Sequence, residues 1–220
     1  MKPWNESQSE TQEPSSVSRD TNYAYLVDNG IYINLTNRCT NDCDFCIRHN
    51  GEGAYGSGTL WLSKEPTAQE AFEAVRALYF PECKEFVFCG YGEPMIRAEV
   101  LLQVASMLKQ TYPQPIRINT NGQAPLFCAD DILDRMEGLI DAISVSLNAA
   151  SGSEYVKVCK PVYGMRAYDA LLKFTSEAKK HVPDVLLSVV DTALGKYDLA
   201  MCHAIADRLG VKLRVRTFIG

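Results

Sequence analysis

The sequence predicts an α/β chain folded as an open, partial (β/α)6 TIM-like barrel, and three observations carry that expectation. Short runs of β-branched and aromatic residues alternate with segments whose apolar residues recur every three or four positions, the pattern of right-handed βαβ units around a parallel sheet. Six barrel strands and five helices can be counted, too few for a closed barrel of eight units. Successive strands also carry a polar row on one face, which argues against a doubly wound sheet, the alternative architecture, because its strands are buried on both faces.

The first 22 residues are rich in Ser, Glu, Gln, Thr and Asn, with Trp4 the main apolar side chain, and are expected to form a disordered tail. Residues 23–220 then make one core domain, a length that suits a single core. Residues 23–27, the turn residues Asp28, Asn29 and Gly30, and residues 31–36 read as a hairpin whose second arm is the first barrel strand. Further strands are expected at 85–89, 116–120, 142–147, 185–190 and 211–218, and helices at 68–79, 99–109, 129–136, 165–181 and 199–209. Pro66 and Thr67 precede the first helix and Gly210 follows the last, as befits helix starts and stops. The polar row comprises Arg117, Asn119 and Asn121, then Ser144, Ser146 and Asn148, then Arg214 and Arg216, interleaved with Ile118, Ile143, Val145, Leu147, Leu213 and Val215. Such a row describes a wet lumen, where a closed barrel would place Val, Ile and Leu.

The chain has 22 Lys and Arg against 27 Asp and Glu, a net charge of −5, and no basic block, so no dedicated nucleic-acid surface is expected. No signal peptide and no run of about 20 apolar residues is visible, which points to a cytoplasmic protein off the membrane. Eight cysteines in a reducing compartment are then metal-ligand candidates rather than a disulfide framework.

Three of them fall in Asn37-Arg38-Cys39-Thr40-Asn41-Asp42-Cys43-Asp44-Phe45-Cys46, immediately after the first barrel strand, at the strand end where barrel enzymes keep their chemistry. Cys39, Cys43 and Cys46 can wrap one small iron–sulfur cluster, and thiolate is the ligand such clusters prefer. A [4Fe-4S] cube takes four ligands, so three cysteines leave one iron open. A zinc site made of the three cysteines and His49 is the alternative reading of the same residues. An electron-carrying ferredoxin would need a fourth local cysteine.

The spacing of the three cysteines, the aromatic Phe45 before the third and the position after the first strand resemble the radical S-adenosylmethionine (SAM) superfamily. The resemblance implies that SAM chelates the open iron through its amino and carboxylate groups. One electron then cleaves the sulfonium bond to give methionine and a 5′-deoxyadenosyl radical that abstracts hydrogen from a substrate. It also implies an electron donor such as flavodoxin or ferredoxin. Further motifs follow in the expected order. Cys89-Gly90-Tyr91-Gly92-Glu93-Pro94 resembles the family's Gly-Gly-Glu-Pro motif for the SAM amino group, with Tyr91 in place of a glycine. Gly90 and Gly92 suit close backbone approach, and Glu93 suits a bond from an ammonium group. Asn119 and Asn121 resemble the polar strand end that lines the SAM pocket, and Ser146 and Asn148 the ribose and carboxylate motif. Within the superfamily, residues 33–39, 45–48, 60–62 and 146–149 are similar to the small TatD-nuclease-associated group, a label that implies no reaction.

Arg214 and Arg216 are candidate substrate residues, able to hold a carboxylate or phosphate as bidentate forks; as charges on an edge strand they also blunt that edge. Cys83, Cys89, Cys128, Cys159 and Cys202 are scattered singly and read as small buried hydrophobes. His181 and His203 lie in helical segments and read as ordinary surface or core residues. The stretch 49–64, with four glycines, reads as a long flexible loop after the cysteines. The functional expectation is a radical SAM enzyme of unknown substrate; the alternative is a non-catalytic metal- or cluster-binding regulatory module, against which the polar lumen and Glu93 count.

Overall fold

A computed structural model describes residues 22–49, 56–191 and 196–217. Strand β1 (Ala24–Val27) turns through Asp28, held at φ 50°, into β2 (Gly30–Ile33), and the two pair antiparallel. Every later strand lies parallel to its predecessor: β3 (Glu85–Phe88), β4 (Ile116–Thr120), β5 (Ala142–Ser146), β6 (Asp184–Val190) and β7 (Lys212–Arg216). The order across the seven-stranded sheet is β1 to β7 without a reversal. A doubly wound sheet reverses its strand order at a switch point, so the winding in one direction is that of an unclosed barrel.

The helices are α1 (Ala68–Leu78), α2 (Ala98–Thr111), α3 (Gly152–Cys159), α4 (Met165–Ala178) and α5 (Lys196–Leu209). Thr67 starts α1 with a capping box: its hydroxyl accepts the Glu70 N–H at 3.2 Å, and the Glu70 carboxylate accepts the Thr67 N–H at 2.8 Å. Gly210 follows α5 at φ 64°. Four of the five expected helices are present, with ends shifted by a few residues.

The helix expected at 129–136 is absent; that stretch is turns with a short 3-10 segment, Asp134–Met136. Its apolar spacing is real, because Ile132 and Met136 are buried, but Gly138 at φ 74° ends the segment before a second helical turn can form. The unexpected α3 lies between β5 and α4. Ser151 caps it by accepting the Glu154 N–H at 3.3 Å, and Lys160 closes it at φ 44°.

Lateral neighbours in a parallel sheet point to the same side, so the register tests the polar row directly. Asn119 pairs with Ser144, and Ser146 with Ser188 and then Arg214; Arg216 pairs with Val190. The strand members of the expected row, Arg117, Asn119, Ser144, Ser146, Arg214 and Arg216, therefore share one face, while Asn121 and Asn148 lie past the strand ends. The other face, carrying Ile33, Phe88, Ile118, Ile143 and Leu187, is fully buried in the main core with Val75, Leu101, Leu108, Leu171 and Phe174 of the helices.

Of the stretch 49–64, residues 50–55 lie outside the described residues, and its second half is tied to strand ends. Asn34 Nδ2 donates to the Leu60 carbonyl at 2.7 Å, and Asn37 and Leu62 exchange two hydrogen bonds at 2.7 and 2.9 Å. Leu60 packs with Tyr25, Val27 and Tyr91 in a second, smaller cluster. Residues 1–21, most of the expected tail, are outside the described residues; Asn22 donates to the Ser57 and Thr59 carbonyls at 2.9 and 2.6 Å. No described helix is long and apolar enough to cross a membrane.

Candidate active site

The loop that carries the three cysteines leaves the C-terminal end of β2 and is held from three sides. On the first, the Gly90–Pro94 turn after β3 lies against it: Glu93 N–H donates to the Arg38 carbonyl at 2.8 Å. A Cβ on Gly92 would sit 2.3 Å from the Thr36 oxygen and 2.5 Å from the Arg38 oxygen, and a Cβ on Gly90 would sit 2.2 Å from Asn34 Oδ1. Both glycines thus serve close approach within the chain itself. Glu65 braces the same side, binding Arg38 in a fork at 2.7 and 2.9 Å and Arg97 at 2.8 Å.

On the second side, the end of β4 meets the loop through Asn121, whose Nδ2 donates to Thr40 Oγ1 at 2.8 Å and lies 4.0 Å from Cys39 Sγ. The third side is α3. Asp42 and Asp44 N–H groups donate to the Cys159 and Val158 carbonyls, both at 3.0 Å. Asn41 Nδ2 donates to Tyr155 Oη at 2.9 Å, while Gln123 Nε2 reaches both Tyr155 Oη (3.0 Å) and Asn41 Oδ1 (2.6 Å).

Each sulfur has a defined neighbour. Cys39 Sγ accepts the Asn41 N–H at 3.4 Å, and Cys46 Sγ accepts Arg48 Nε at 3.3 Å. Burial, followed by the nearby Glu93 carboxylate, pushes the Cys39 thiol up to about 12. The neighbouring Cys159 thiol lowers Cys43, and Cys43 raises Cys159 in turn. Phe45 is half-buried against the main core.

Glu93 is turned inward. Its carboxylate accepts from Thr120 Oγ1 at 2.7 Å, the Asn121 N–H at 2.7 Å and the Met95 N–H at 3.1 Å. Burial nevertheless raises its carboxyl to about 7. Deeper in the lumen, Arg117 forks onto Glu85 at 2.6 and 2.9 Å and donates to Asn119 Oδ1 at 2.6 Å. Burial works against the Arg117 charge, but Glu85 outweighs it and holds the guanidinium firmly charged. Tyr91 packs its ring edge-on to Trp61 at 5.1 Å. Asn148 is buried at φ 53°, and its Oδ1 has no hydrogen-bond partner within the protein.

The donor set fits an iron–sulfur cluster. Three thiols stand on one loop with N–H donors aimed at two of the sulfurs, the arrangement that tunes such clusters, and Asn148 leaves an open acceptor at a neighbouring strand end. Among the described residues no three His, Cys, Asp or Glu side chains close on a point that a single ion could occupy. His49 faces Asp42 at 3.3 Å instead. A cube carries each thiolate on a separate iron, so its ligands stand farther apart than those of one zinc ion. Sequence reading missed Gln123, Tyr155 and Cys159, which meet the cysteine loop only through α3 and the residues after β4.

The family model described as the radical SAM superfamily matches residues 33–203. Among curated proteins, the tungsten-containing aldehyde ferredoxin oxidoreductase cofactor-modifying protein of Pyrococcus furiosus is 25% identical over 168 residues, covering 74% of this chain and 43% of that protein. The chain therefore spans less than half the length of the curated relative it matches. Streptococcus suis SuiB bound to S-adenosylmethionine superposes with a TM-score of 0.64 at 11% identity, covering 86% of this chain and 40% of that one. A radical SAM methyltransferase from Sphaerobacter thermophilus gives 0.59 at 15%, covering 88% and 68%, and methylornithine synthase gives 0.59 at 16%, covering 91% and 56%. These likenesses show a shared fold.

Proposed function

The chain belongs to the radical SAM superfamily, and from that membership we propose that it is an enzyme whose Cys39, Cys43 and Cys46 hold a site-differentiated [4Fe-4S] cluster. When bound, cluster and SAM together supply reductive cleavage of the sulfonium to methionine and a 5′-deoxyadenosyl radical that takes hydrogen from a substrate. The observation that carries the reading is the loop itself: three thiols at the strand end, two of them receiving N–H bonds at 3.4 and 3.3 Å.

The chain's own residues bind and orient. Gly90, Tyr91 and Gly92 present backbone toward the SAM amino group. Glu93 holds their turn against the end of β4 through its two bonds from Thr120 and Asn121. Asn119 and Asn121 line the pocket, the first fixed by Arg117 and the second by Thr40. Ser146 and Asn148 face the ribose and carboxylate, Phe45 packs beside the third cysteine, and the Asn148 Oδ1 accepts a ligand hydroxyl.

Arg214 and Arg216 hold an anionic group of the substrate, a reading supported by the row that places Arg214 level with Ser188 and Ser146. Arg216→Ala then keeps substrate-free SAM cleavage and loses substrate turnover; unchanged turnover would sink this assignment. The reductant is a small electron carrier of the flavodoxin or ferredoxin type and the setting is the cytoplasm. Residues 33–39, 45–48, 60–62 and 146–149 support placement in the TatD-nuclease-associated group.

The test is anaerobic reconstitution with iron and sulfide, followed by dithionite, SAM and an assay for 5′-deoxyadenosine beside Cys43→Ala. About four irons and four sulfides per chain, with cleavage that depends on Cys43, is the expected result. Zinc without sulfide would overturn the reading.

A further inference from the structure

Arg48 follows the third cysteine on the 3-10 turn Ile47–His49, whose start is fixed by the His49 N–H donating to the Cys46 carbonyl at 3.0 Å. From that turn its side chain folds back over the cysteine loop. Nε donates to Cys46 Sγ at 3.3 Å, Nη2 to the Asn41 carbonyl at 3.2 Å and Nη1 to the Asn37 carbonyl at 3.5 Å. One guanidinium therefore touches the chain before Cys39, the chain between Cys39 and Cys43, and Cys46 itself. Its side chain is 13% exposed, whereas that of Asp42, the carboxylate paired with it at 3.7 Å, is 69% exposed. A carboxylate so exposed is screened by water and neutralises little of the charge. Arg38, the other arginine of this loop, is spent on Glu65, so of the two it is Arg48 whose charge is turned on a sulfur.

We propose that Arg48 is a positioning residue that holds the cysteine loop closed around the cluster and, as a fixed cation bonded to Cys46 Sγ, raises the potential at which the cluster accepts its electron. The inference rests on the proposed cluster and goes beyond it by assigning a role to a residue that binds neither iron nor SAM. Reduction adds one electron, taken from the reductant, to a centre already ringed by thiolates. A neighbouring cation and a hydrogen bond to a ligand sulfur both stabilise that added charge, so they favour the reduced form. The guanidinium is not deprotonated in a protein, so this contribution is constant with pH. On the scale of one hydrogen bond to a charged group, loss of the cation lowers the reduced fraction about tenfold at an ambient potential well above the midpoint, a shift of about 59 mV for a one-electron couple.

The experiment is a redox titration with dithionite, monitored by electron paramagnetic resonance, on reconstituted wild-type protein, Arg48→Gln and Arg48→Lys, with iron and sulfide counted in each. Arg48→Gln removes the charge, whereas Arg48→Lys keeps it and loses the planar fork. The expected pattern is a more negative midpoint in Arg48→Gln, about tenfold in reduced fraction, and recovery to within about threefold of wild type in Arg48→Lys. Equal midpoints in wild type and Arg48→Gln would overturn the inference. So would an equal fall in both variants, because a side chain that only packs the loop draws no distinction between a charged and a neutral replacement. If Arg48→Gln fails to load iron, Arg48→Lys decides alone: full iron with the recovered midpoint supports the fixed cation, and a larger fall or a failure to load refutes it. Failure of the wild type to form a four-iron cluster would strike the proposed function itself, which is a different outcome.

Discussion

Gly92→Ala separates the packing role of the glycine turn from any ligand contact. A Cβ there would meet the Thr36 oxygen at 2.3 Å, the Arg38 oxygen at 2.5 Å and the Thr36 carbonyl carbon at 2.8 Å. All three are backbone atoms, so no side chain can swing away. The loop must retreat by roughly 0.7 Å to bring the worst contact out to 3.0 Å, and the Glu93 to Arg38 hydrogen bond at 2.8 Å lies in the path. Overpacking costs about 1–3 kcal/mol and a weakened buried hydrogen bond about 1 kcal/mol more. Gly138→Ala is the control: its φ of 74° strains an alanine, but nothing stands within 4 Å of the new methyl, so the cost is about 1–2 kcal/mol. Urea unfolding of the apoprotein measures the stabilities and iron counting after reconstitution reads the loop. Gly92→Ala should lose about 2–4 kcal/mol and load less iron, with Gly138→Ala loading fully. A Gly92→Ala protein no less stable than Gly138→Ala and replete in iron would refute the argument.

Three further outcomes can be checked. Tyr155→Phe removes the acceptor for two buried amide donors, Asn41 Nδ2 and Gln123 Nε2, and should lower the urea unfolding free energy by about 1–3 kcal/mol; no loss would mean that both amides find other partners. Burial raises Glu93 from an ordinary 4.5 to about 7, so the folded chain keeps a proton that the unfolded chain has released. That contribution is present below about pH 4.5 and is lost as pH rises through about 7, a span worth about 3 kcal/mol. The stability of wild type minus that of Glu93→Gln, measured by urea melts across this window, should therefore fall with pH; a difference that rises would refute it. Thr67→Ala breaks the capping box of α1 and should cost about 1 kcal/mol in a thermal or urea melt, with iron loading unchanged because Thr67 does not touch the cysteine loop.

The strands were legible because a sheet with one polar and one apolar face writes its period of two into each run, as in Arg117-Ile118-Asn119. The helix at 129–136 was misread because periodicity alone does not measure length: Ile132 and Met136 are spaced for a helix, yet one turn satisfies them. The reverse error hid α3, although Ser151 and Glu154 stand at the separation of a capping motif. Motif spacing placed Cys39, Cys43 and Cys46 with Asn41 among them, but nothing local marks Gln123, Tyr155 or Cys159, since their meeting is set by where α3 docks. Gly90 and Gly92 were legible as close-approach positions, whereas what they approach, Asn34 and the Thr36–Arg38 backbone, required the fold.

The buried amides at this end of the sheet share one pattern. Asn34, Gln123 and Asn148 each follow the C-terminal end of a strand, each is nearly or fully buried, and in each the atom left without a protein partner is the oxygen. An unpaired buried acceptor costs about 1–3 kcal/mol, yet two of these residues spend their N–H groups on the protein: Asn34 on Leu60, and Gln123 on Asn41 and Tyr155. The arginines of β7 supply the opposite chemistry at the far edge of the same face. The polarity of this end of the sheet therefore runs from acceptors near the cysteines to cations at the β7 edge.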